Sequence, residues 1–534
     1  MVSFTSYNWV TSFLRLARET PLAWFLAGCV LAWINLFLIS AKASQDGHVL
    51  LRRIAFGSGL FVLCAYMLLT IYSLHFFTIW GDEANILSIA AAGIHGLPLY
   101  NPPRSLDTSY SLMYGPLTFL VYRLALMLGG VTHFWIVRSF VVIANLSVCT
   151  ALYMLLRKFI SAFAAVALMA FPMSVLIQNP ENSLGLRSDI WIFLFSTLAI
   201  TCSLLETESV AVLLVGLMGG LIVGFKITAG SAILFPLLLL YRKFGLRSVI
   251  ISSLVAIAVA FLPFALPEIS LHNYISWLLY TRAEGLDPIS VSQNLAFALF
   301  LISPSVLMEM SANRSGLRFR KRLPEFLVIV FCLFIGILTS KYGSGPHYLW
   351  HIVPAATLYP ALVLRDSENA PVGNQTSALY YIAVACALFA CVNLPRAWQT
   401  ARLSLMPPGV PVAEASINQY LDFYRHRSSL QVGYGSGDGD YRSQLRYIPI
   451  YRGQPYTIEG NTGRYETRLL PFPTNVLKQM ESCKDDVWLI PHAQKPFDVW
   501  VLTDSLRTTF LQNYSIDRSD GVYDAWVCDH SMPH

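Results

Sequence analysis

The sequence predicts a polytopic α-helical membrane protein that carries a small C-terminal α/β domain. Three observations predict it. Of 534 residues, 55% are hydrophobic and only 13% charged, against about 25% charged in soluble globular proteins. Apolar runs recur that are long enough to cross a bilayer core about 30 Å thick, which takes roughly 20 helical residues each. After residue 394 the composition changes: Arg, Asp, Tyr and Gly become frequent and long apolar runs stop.

In chain order, apolar runs fall at about 22–40, 55–78, 136–156, 159–178, 190–205, 209–224, 228–241, 248–267, 293–310, 324–340, 347–364 and 378–394, roughly twelve spans. Ala41-Lys42-Ala43 resembles a signal-peptidase site. The run before it is longer than the roughly 7–15 residues of a signal-peptide core, so an uncleaved anchor helix is expected. Segments 86–95 and 116–130 differ from the spans. Leu117, Leu120, Val121, Leu124, Met127 and Leu128 recur at helical spacing, and Arg123 interrupts them. Both segments read as amphipathic helices on the membrane surface, with a tilted thirteenth span over 112–130 as the alternative. The domains expected are therefore 1–54 (anchor helix and cytoplasmic loop), 55–394 (transmembrane catalytic domain) and 395–534 (extracytoplasmic domain).

The net charge is +6, and its placement sets the orientation. Arg314, Arg318, Arg320, Lys321 and Arg322 form the densest basic loop; Arg157-Lys158, Arg242-Lys243 with Arg247, and Lys42 with Arg52-Arg53 are the other basic turns. Under the span assignment these share one side, which the positive-inside rule makes cytoplasmic. Asp82-Glu83, loops 179–189 and 268–292, the turn at Lys341 and the C-terminal domain then lie outside. No basic run is interleaved with aromatics as on a nucleic-acid surface, so that partner class is excluded. Seven of the nine cysteines lie in apolar segments and read as small hydrophobes. Cys483 and Cys528, in the polar region, are candidates for a disulfide if that region is extracytoplasmic.

The polar residues of the outer loops carry the candidate chemistry. They are Asp82-Glu83, Arg187-Ser188-Asp189, Gly224-Phe225-Lys226, and Lys341-Tyr342 through His347-Tyr348. Each has a plain structural alternative. Asp82 or Glu83 could cap the following helix; Arg187 and Asp189 could form a rim salt bridge; Lys226 could snorkel; Lys341 could be a solvated turn charge. Together, on one predicted face, they fit transfer from a lipid-linked sugar phosphate. A carboxylate, Asp82 or Glu83, would take the acceptor proton. Lys226, Lys341 and Arg187 would neutralise the departing phosphate. A hard divalent cation, Mg or Mn, could be shared by Asp189 and Asp82.

Trp80-Gly81-Asp82-Glu83-Ala84, Gly96-Leu97-Pro98-Leu99-Tyr100 and Tyr114-Gly115-Pro116-Leu117 resemble the first periplasmic loop of the GT-C glycosyltransferases, above all the bacterial protein O-mannosyltransferases and lipid A aminoarabinose transferases. Arg187-Ser188-Asp189, Gly224-Phe225-Lys226 and Lys341-Tyr342 resemble later loops of the same family. The resemblance spans most of residues 55–365. It implies an inverting transfer from a polyprenyl-phosphate sugar donor to a glycan, lipid or protein acceptor, in a bacterial inner membrane with a periplasmic active site. It implies Asp82 as base, and it places Tyr100, Tyr114, Tyr342 and His347 among the substrate-pocket candidates. The helix at 22–40 looks like an addition to the family pattern.

In the C-terminal region, 417–424 and 506–514 read as helices, and 430–432, 487–490 and 522–527 as strands, a small α/β domain. Gly433-Tyr434-Gly435-Ser436-Gly437-Asp438-Gly439 resembles a dinucleotide loop but lacks the following helix and ribose-binding acid, and reads as a flexible loop. Two rival functions stay open: a transporter or flippase of a lipid-linked saccharide, which expects inverted repeats and broken helices near the midplane, and an oligosaccharide ligase using a diphosphate-linked donor.

Overall fold

The computed structural model describes residues 45–534 except 80, 104–109, 111–113, 283–284, 313–316, 342–343, 367–373, 437–439, 459–473, 499–503 and 529–534. The expected anchor helix at 22–40, the Ala41-Lys42-Ala43 site, Trp80, Arg314 and the pocket candidate Tyr342 lie outside the described residues.

The chain is an integral membrane protein built mainly of helices. Among the described residues seven are long and apolar enough to cross a membrane: Val49–His75, Phe134–Arg157, Glu208–Phe225, Ile227–Phe244, Leu246–Ala265, Pro288–Ser311 and Ser377–Leu403. The expected spans at 159–178 and 190–205 form shorter apolar helices, Ala162–Gln178 and Asp189–Ser203. The run at 324–340 closes the helix Leu317–Leu338, and the run at 347–364 begins as a 3-10 turn, Pro346–Ile352, before the helix Val353–Arg365.

Lipid tails give apolar helices no hydrophobic reason to associate, so close backbone packing does that work. Gly216 and Gly220 stand one turn apart on Glu208–Phe225. A Cβ at either would lie 2.6 Å from a carbonyl oxygen of Leu246–Phe261, that of Ser252 or Ala256. Buried polar groups add specific ties. Asn145, within Phe134–Arg157, accepts from the Tyr66 hydroxyl and donates to the Ser183 carbonyl at 2.9 Å.

Basic turns gather at one end of the bundle. Arg322 grips Asp366 at 2.8 and 2.9 Å and Glu325 at 3.0 Å, Arg242 pairs with the same Glu325, and the Arg365 guanidinium lies 5.4 Å from the Phe159 ring centre.

The first loop is built differently from the expectation. In the helix Asp82–Ile94 every residue from Glu83 to Gly93 is buried, so it is no amphipathic surface helix. Its apolar residues run all the way round. Pro116–Gly129 covers one side and the short helix Tyr447–Tyr451 of the C-terminal region another. Pro116–Gly129 itself keeps Leu124, Met127 and Leu128 exposed while Phe119, Tyr122 and Leu126 are buried, as a surface-lying helix should. Arg123, which breaks its apolar stripe, pairs with Glu268 at 2.5 Å.

The expected domain break at 394/395 falls inside a continuous helix, Asn374–Leu403, that carries Pro395 within it. The chain then turns back against the end of the first described helix, where Phe77 N donates to Ser404 O and Met406 N to His75 O. After the helix Val410–Phe423 comes a four-stranded sheet, β1 (Leu430–Val432), β2 (Val487–Pro491), β3 (Tyr514–Ser519) and β4 (Tyr523–Cys528), in the order β1-β2-β4-β3. β1 and β2 run parallel, and the other pairs are antiparallel. β3 has no counterpart in the sequence expectation. Only its first residue, Tyr514, is buried and the next five are exposed, so this edge strand lacks the apolar alternation by which half-buried strands are read. A disulfide joins Cys483 to Cys528, with 5.8 Å between their Cα atoms, and ties the turn before β2 to the end of β4.

Candidate active site

The site is assembled where two loop motifs press backbone against backbone. Gly115 N donates to the Phe225 carbonyl at 2.9 Å, and the Thr118 hydroxyl reaches the same oxygen at 3.3 Å. A Cβ on Gly115 would stand 2.2 Å from the Gly224 carbonyl oxygen, and one on Gly224 2.6 Å from Leu117. Only residues without side chains allow this approach. It holds the end of Glu208–Phe225 where the chain turns extended at Lys226, φ −164° and ψ 113°.

That turn sends the buried Lys226 side chain to Asp189. Its Nζ lies 3.3 Å from Oδ1 and 3.5 Å from the Tyr348 ring centre. Arg187 meets the same carboxylate from the other side, Nε to Oδ2 at 3.1 Å. Arg187 also faces His347 Nε2 at 3.2 Å. A guanidinium can only donate, so that nitrogen accepts and the imidazole is neutral, with its proton on Nδ1. One turn on, His351 contacts the Ser231 hydroxyl at 2.9 Å. Asp189, Lys226, His347, Tyr348, Trp350 and His351 line a narrow cleft of about 10 Å³, room for one water.

Asp82 stands beside this cluster. It is the first residue of its helix, half-buried, with Asn85 Nδ2 3.5 Å from its Oδ1. Tyr114 stands near Asp82, Arg187 and Asp189. Burial pushes its phenol well above the ordinary value, Arg187 opposes that, and Asp189 and Asp82 add to it. Burial pulls the Arg187 guanidinium down, but Tyr114, Asp189 and Asp82 outweigh it and hold it above its ordinary value.

Glu83 is placed elsewhere. It is fully buried and paired with Arg138, equally buried, at 2.6 Å. Its oxygens also accept from Ile79 N at 3.1 Å and Leu186 N at 2.8 Å. Arg138 spends its remaining donors on the carbonyls of Phe76, Phe77 and Leu184. With both oxygens taken by Arg138 and two backbone N–H groups, the carboxylate has no open face for an acceptor hydroxyl, and Glu83 is corrected from a catalytic candidate to a knot between loops. Tyr100 is corrected too. It is buried, its hydroxyl donates to the Tyr114 carbonyl at 2.7 Å, and its ring packs on Phe119 and Tyr274. It shapes the loop that carries Tyr114 rather than the cleft. Lys341 sits in the turn before Pro346–Ile352, and its own carbonyl accepts from Ser344 N at 2.9 Å.

The expected cation between Asp189 and Asp82 does not fit these residues. Both oxygens of Asp189 face cationic side chains, and a hard cation there would have to displace them. Among the described residues no three His, Cys, Asp or Glu side chains converge as a metal site. No step is routed through a metal.

Sequence reasoning missed Arg138, His351 and the C-terminal Arg446. Arg138 had a readable signal: it lies inside an apolar span, where an ionisable residue implies a partner. Arg446 had none, because it reaches the first loop only through the fold.

No family model matches the sequence, and no curated protein does. Solved structures do. ArnT from Cupriavidus metallidurans bound to undecaprenyl phosphate matches with a TM-score of 0.53 and 13% identity, over 89% of this chain and 99% of that one. The same protein in the apo state matches with a TM-score of 0.51 and 14% identity, over 88% and 98%. The archaeal oligosaccharyltransferase AglB from Archaeoglobus fulgidus, in complex with an inhibitory peptide and a dolichol-phosphate, gives 0.44 and 12%, over 81% and 69%. At such identities the ArnT likeness is one of fold: nearly end to end, this chain has the GT-C fold that its loop motifs resemble.

Proposed function

We propose that this chain is an inverting glycosyltransferase that moves a sugar from a polyprenyl-phosphate donor to an extracytoplasmic acceptor. One observation carries the reading. Arg187 and Lys226 meet around one carboxylate, beside a half-buried Asp82, on a fold shared with a protein that binds undecaprenyl phosphate.

The acceptor hydroxyl attacks the anomeric carbon as the bond from that carbon to the phosphate oxygen breaks. Asp82 takes the hydroxyl proton. Polyprenyl phosphate leaves with the bonding electrons, and Arg187 and Lys226 face its growing charge in a partly dry cleft. Asp189 keeps these two cations together when no phosphate is present. Neutral His347 fixes the Arg187 fork without adding a competing charge. The acidic and basic groups stand at helix ends rather than at mid-span, which favours transfer over the flippase reading. By the basic-turn argument the cleft faces the periplasm of a bacterial inner membrane.

The test uses full-length protein in membranes and synthetic undecaprenyl phosphate carrying a hexose, a pentose or an aminopentose. Envelope lipid and polysaccharide are supplied as acceptor, and release of undecaprenyl phosphate is followed. Release by the native chain and its loss in Asp82→Asn supports the reading. Near-normal release by Asp82→Asn sinks Asp82 as base. An undecaprenyl-diphosphate sugar is supplied in parallel, and transfer from it alone, with release of undecaprenyl diphosphate, replaces the reading with the ligase.

A further inference from the structure

We propose that Arg446, in the C-terminal domain, is a positioning residue for Asp82 and acts through Asn85. The proposal rests on the reading of Asp82 as base and extends it across the domain boundary.

Arg446 is only 4% exposed and Asn85 3%. The guanidinium is held on several sides by named groups. Nε donates to Asn85 Oδ1 at 2.7 Å, one terminal nitrogen to the Gly81 carbonyl at 3.2 Å, and the other to the Ser443 carbonyl at 2.8 Å. Its carbon lies 4.7 Å from the Tyr434 ring centre. A fork fixed in this way costs little further entropy for each hydrogen bond it makes.

The orientation of Asn85 follows. An arginine can only donate, so the Asn85 oxygen must face Arg446. The Asn85 amide nitrogen is then directed at Asp82 Oδ1, 3.5 Å away. Arg446 thereby opposes the flipped amide, whose oxygen would face the Asp82 carboxylate, a repulsive arrangement. Meanwhile the Gly81 contact fixes the residue that precedes Asp82 and caps its helix. One arginine thereby sets both the backbone entry to Asp82 and the hydrogen bond on its side chain. Tyr434, just after β1, and Ser443, in the short helix Tyr441–Gln444, hold this arginine in place. Binding of the lipid phosphate, which Arg187 and Lys226 handle, does not depend on it.

The experiment measures turnover of the same undecaprenyl-phosphate sugars by full-length protein carrying Arg446→Gln, Arg446→Lys, Asn85→Ala or the Asn85→Ala/Arg446→Gln pair. Thermal unfolding is measured in parallel. Positioning predicts that Arg446→Gln lowers kcat by about 10–100-fold while donor KM stays within about two-fold. Arg446→Lys, which keeps one charged donor, recovers part of the loss. The pair loses less than the product of the two single losses, because the Asn85 contact is shared and only the Gly81 contact of Arg446 is left to add. Asn85→Ala leaves the Gly81 and Tyr434 contacts of Arg446 in place, so it tests the relay even if Arg446→Gln fails to fold. Unchanged kcat in Asn85→Ala, or losses that multiply in the pair, overturns the proposal. If Asp82→Asn is inactive and Arg446→Gln fully active, this inference fails and the base survives. If Asp82→Asn is active, the base fails and this inference with it.

Discussion

Gly115 and Gly224 meet so closely that a Cβ on the first would stand 2.2 Å from the carbonyl oxygen of the second. The contact joins the loop that carries Tyr114 to the turn that carries Lys226. Gly115→Ala must push two backbones apart, at a cost of about 1–3 kcal/mol by analogy with overpacked cores. It is expected to lower the unfolding temperature and to impair turnover by displacing Lys226. Gly224→Ala meets only the flexible Leu117 side chain and should be milder in both measurements. Equal effects of the two substitutions would contradict the backbone contact as the cause.

The adjacent carboxylates should separate cleanly. Asp82→Asn keeps the fold and loses about 10²–10⁴-fold in turnover, the range for a general base. Glu83→Ala leaves Arg138 buried without its charge partner, at a cost of about 3–5 kcal/mol. It should appear as poor yield and early unfolding. A well-folded, inactive Glu83→Ala would return Glu83 to the chemistry.

Asp189→Asn leaves Arg187 and Lys226 facing each other without an anion between them. Stability falls by roughly 3 kcal/mol, and undecaprenyl phosphate should restore more of it than it adds to the native chain, because an anionic ligand fills the same electrostatic need. Thermal shift with and without that lipid measures the difference. Equal shifts in both proteins would argue against phosphate at this cluster.

Chelation should leave turnover within about two-fold, since each oxygen of Asp189 lies within 3.3 Å of a cationic nitrogen that would repel a hard cation. Loss of release in EDTA, restored by Mg or Mn, would reverse this.

Asp485 supplies a pH signature in the C-terminal domain. Burial pushes its carboxyl up to about 6, while Thr457, whose hydroxyl donates to it at 2.5 Å, pulls the other way. Because the folded value lies above the unfolded one, the native state favours the protonated acid. Stability is greatest below about pH 4 from this group, falls as pH rises toward 6 and then levels, a loss on the order of 3 kcal/mol by linkage. Asp485→Asn removes the penalty. Its unfolding temperature should pull ahead of the native chain's between about pH 4 and pH 6 and then stay ahead by a constant margin. A constant margin across that window would refute the assignment.

The long apolar spans were legible because their signal is local: a bilayer demands consecutive apolar residues whatever the rest of the chain does. The motif glycines, Asp82, Arg187, Asp189, Lys226 and His347 were legible as types and positions. Glu83 was misread because its sequence context is that of Asp82; only Arg138, 55 positions later, separates the two. The helix Asp82–Ile94 was misread for a related reason. An apolar helix beside a membrane looks the same whether lipid or a distant domain covers it. β3 was missed because an exposed edge strand buries too little to leave a pattern.

The sequence alone determined the helical membrane class, the change of composition toward the C-terminus and the set of charged residues that the loops offer. Each of these follows from the solvent a local segment must face. Tertiary structure alone decided which carboxylate is tied up and which stands beside the cations, that Arg187 and Lys226 share Asp189, and that Arg446 reaches back to Gly81 and Asn85. Those outcomes depend on pairings between distant segments, and a buried charge takes its character from the partner the fold brings to it rather than from its neighbours along the chain.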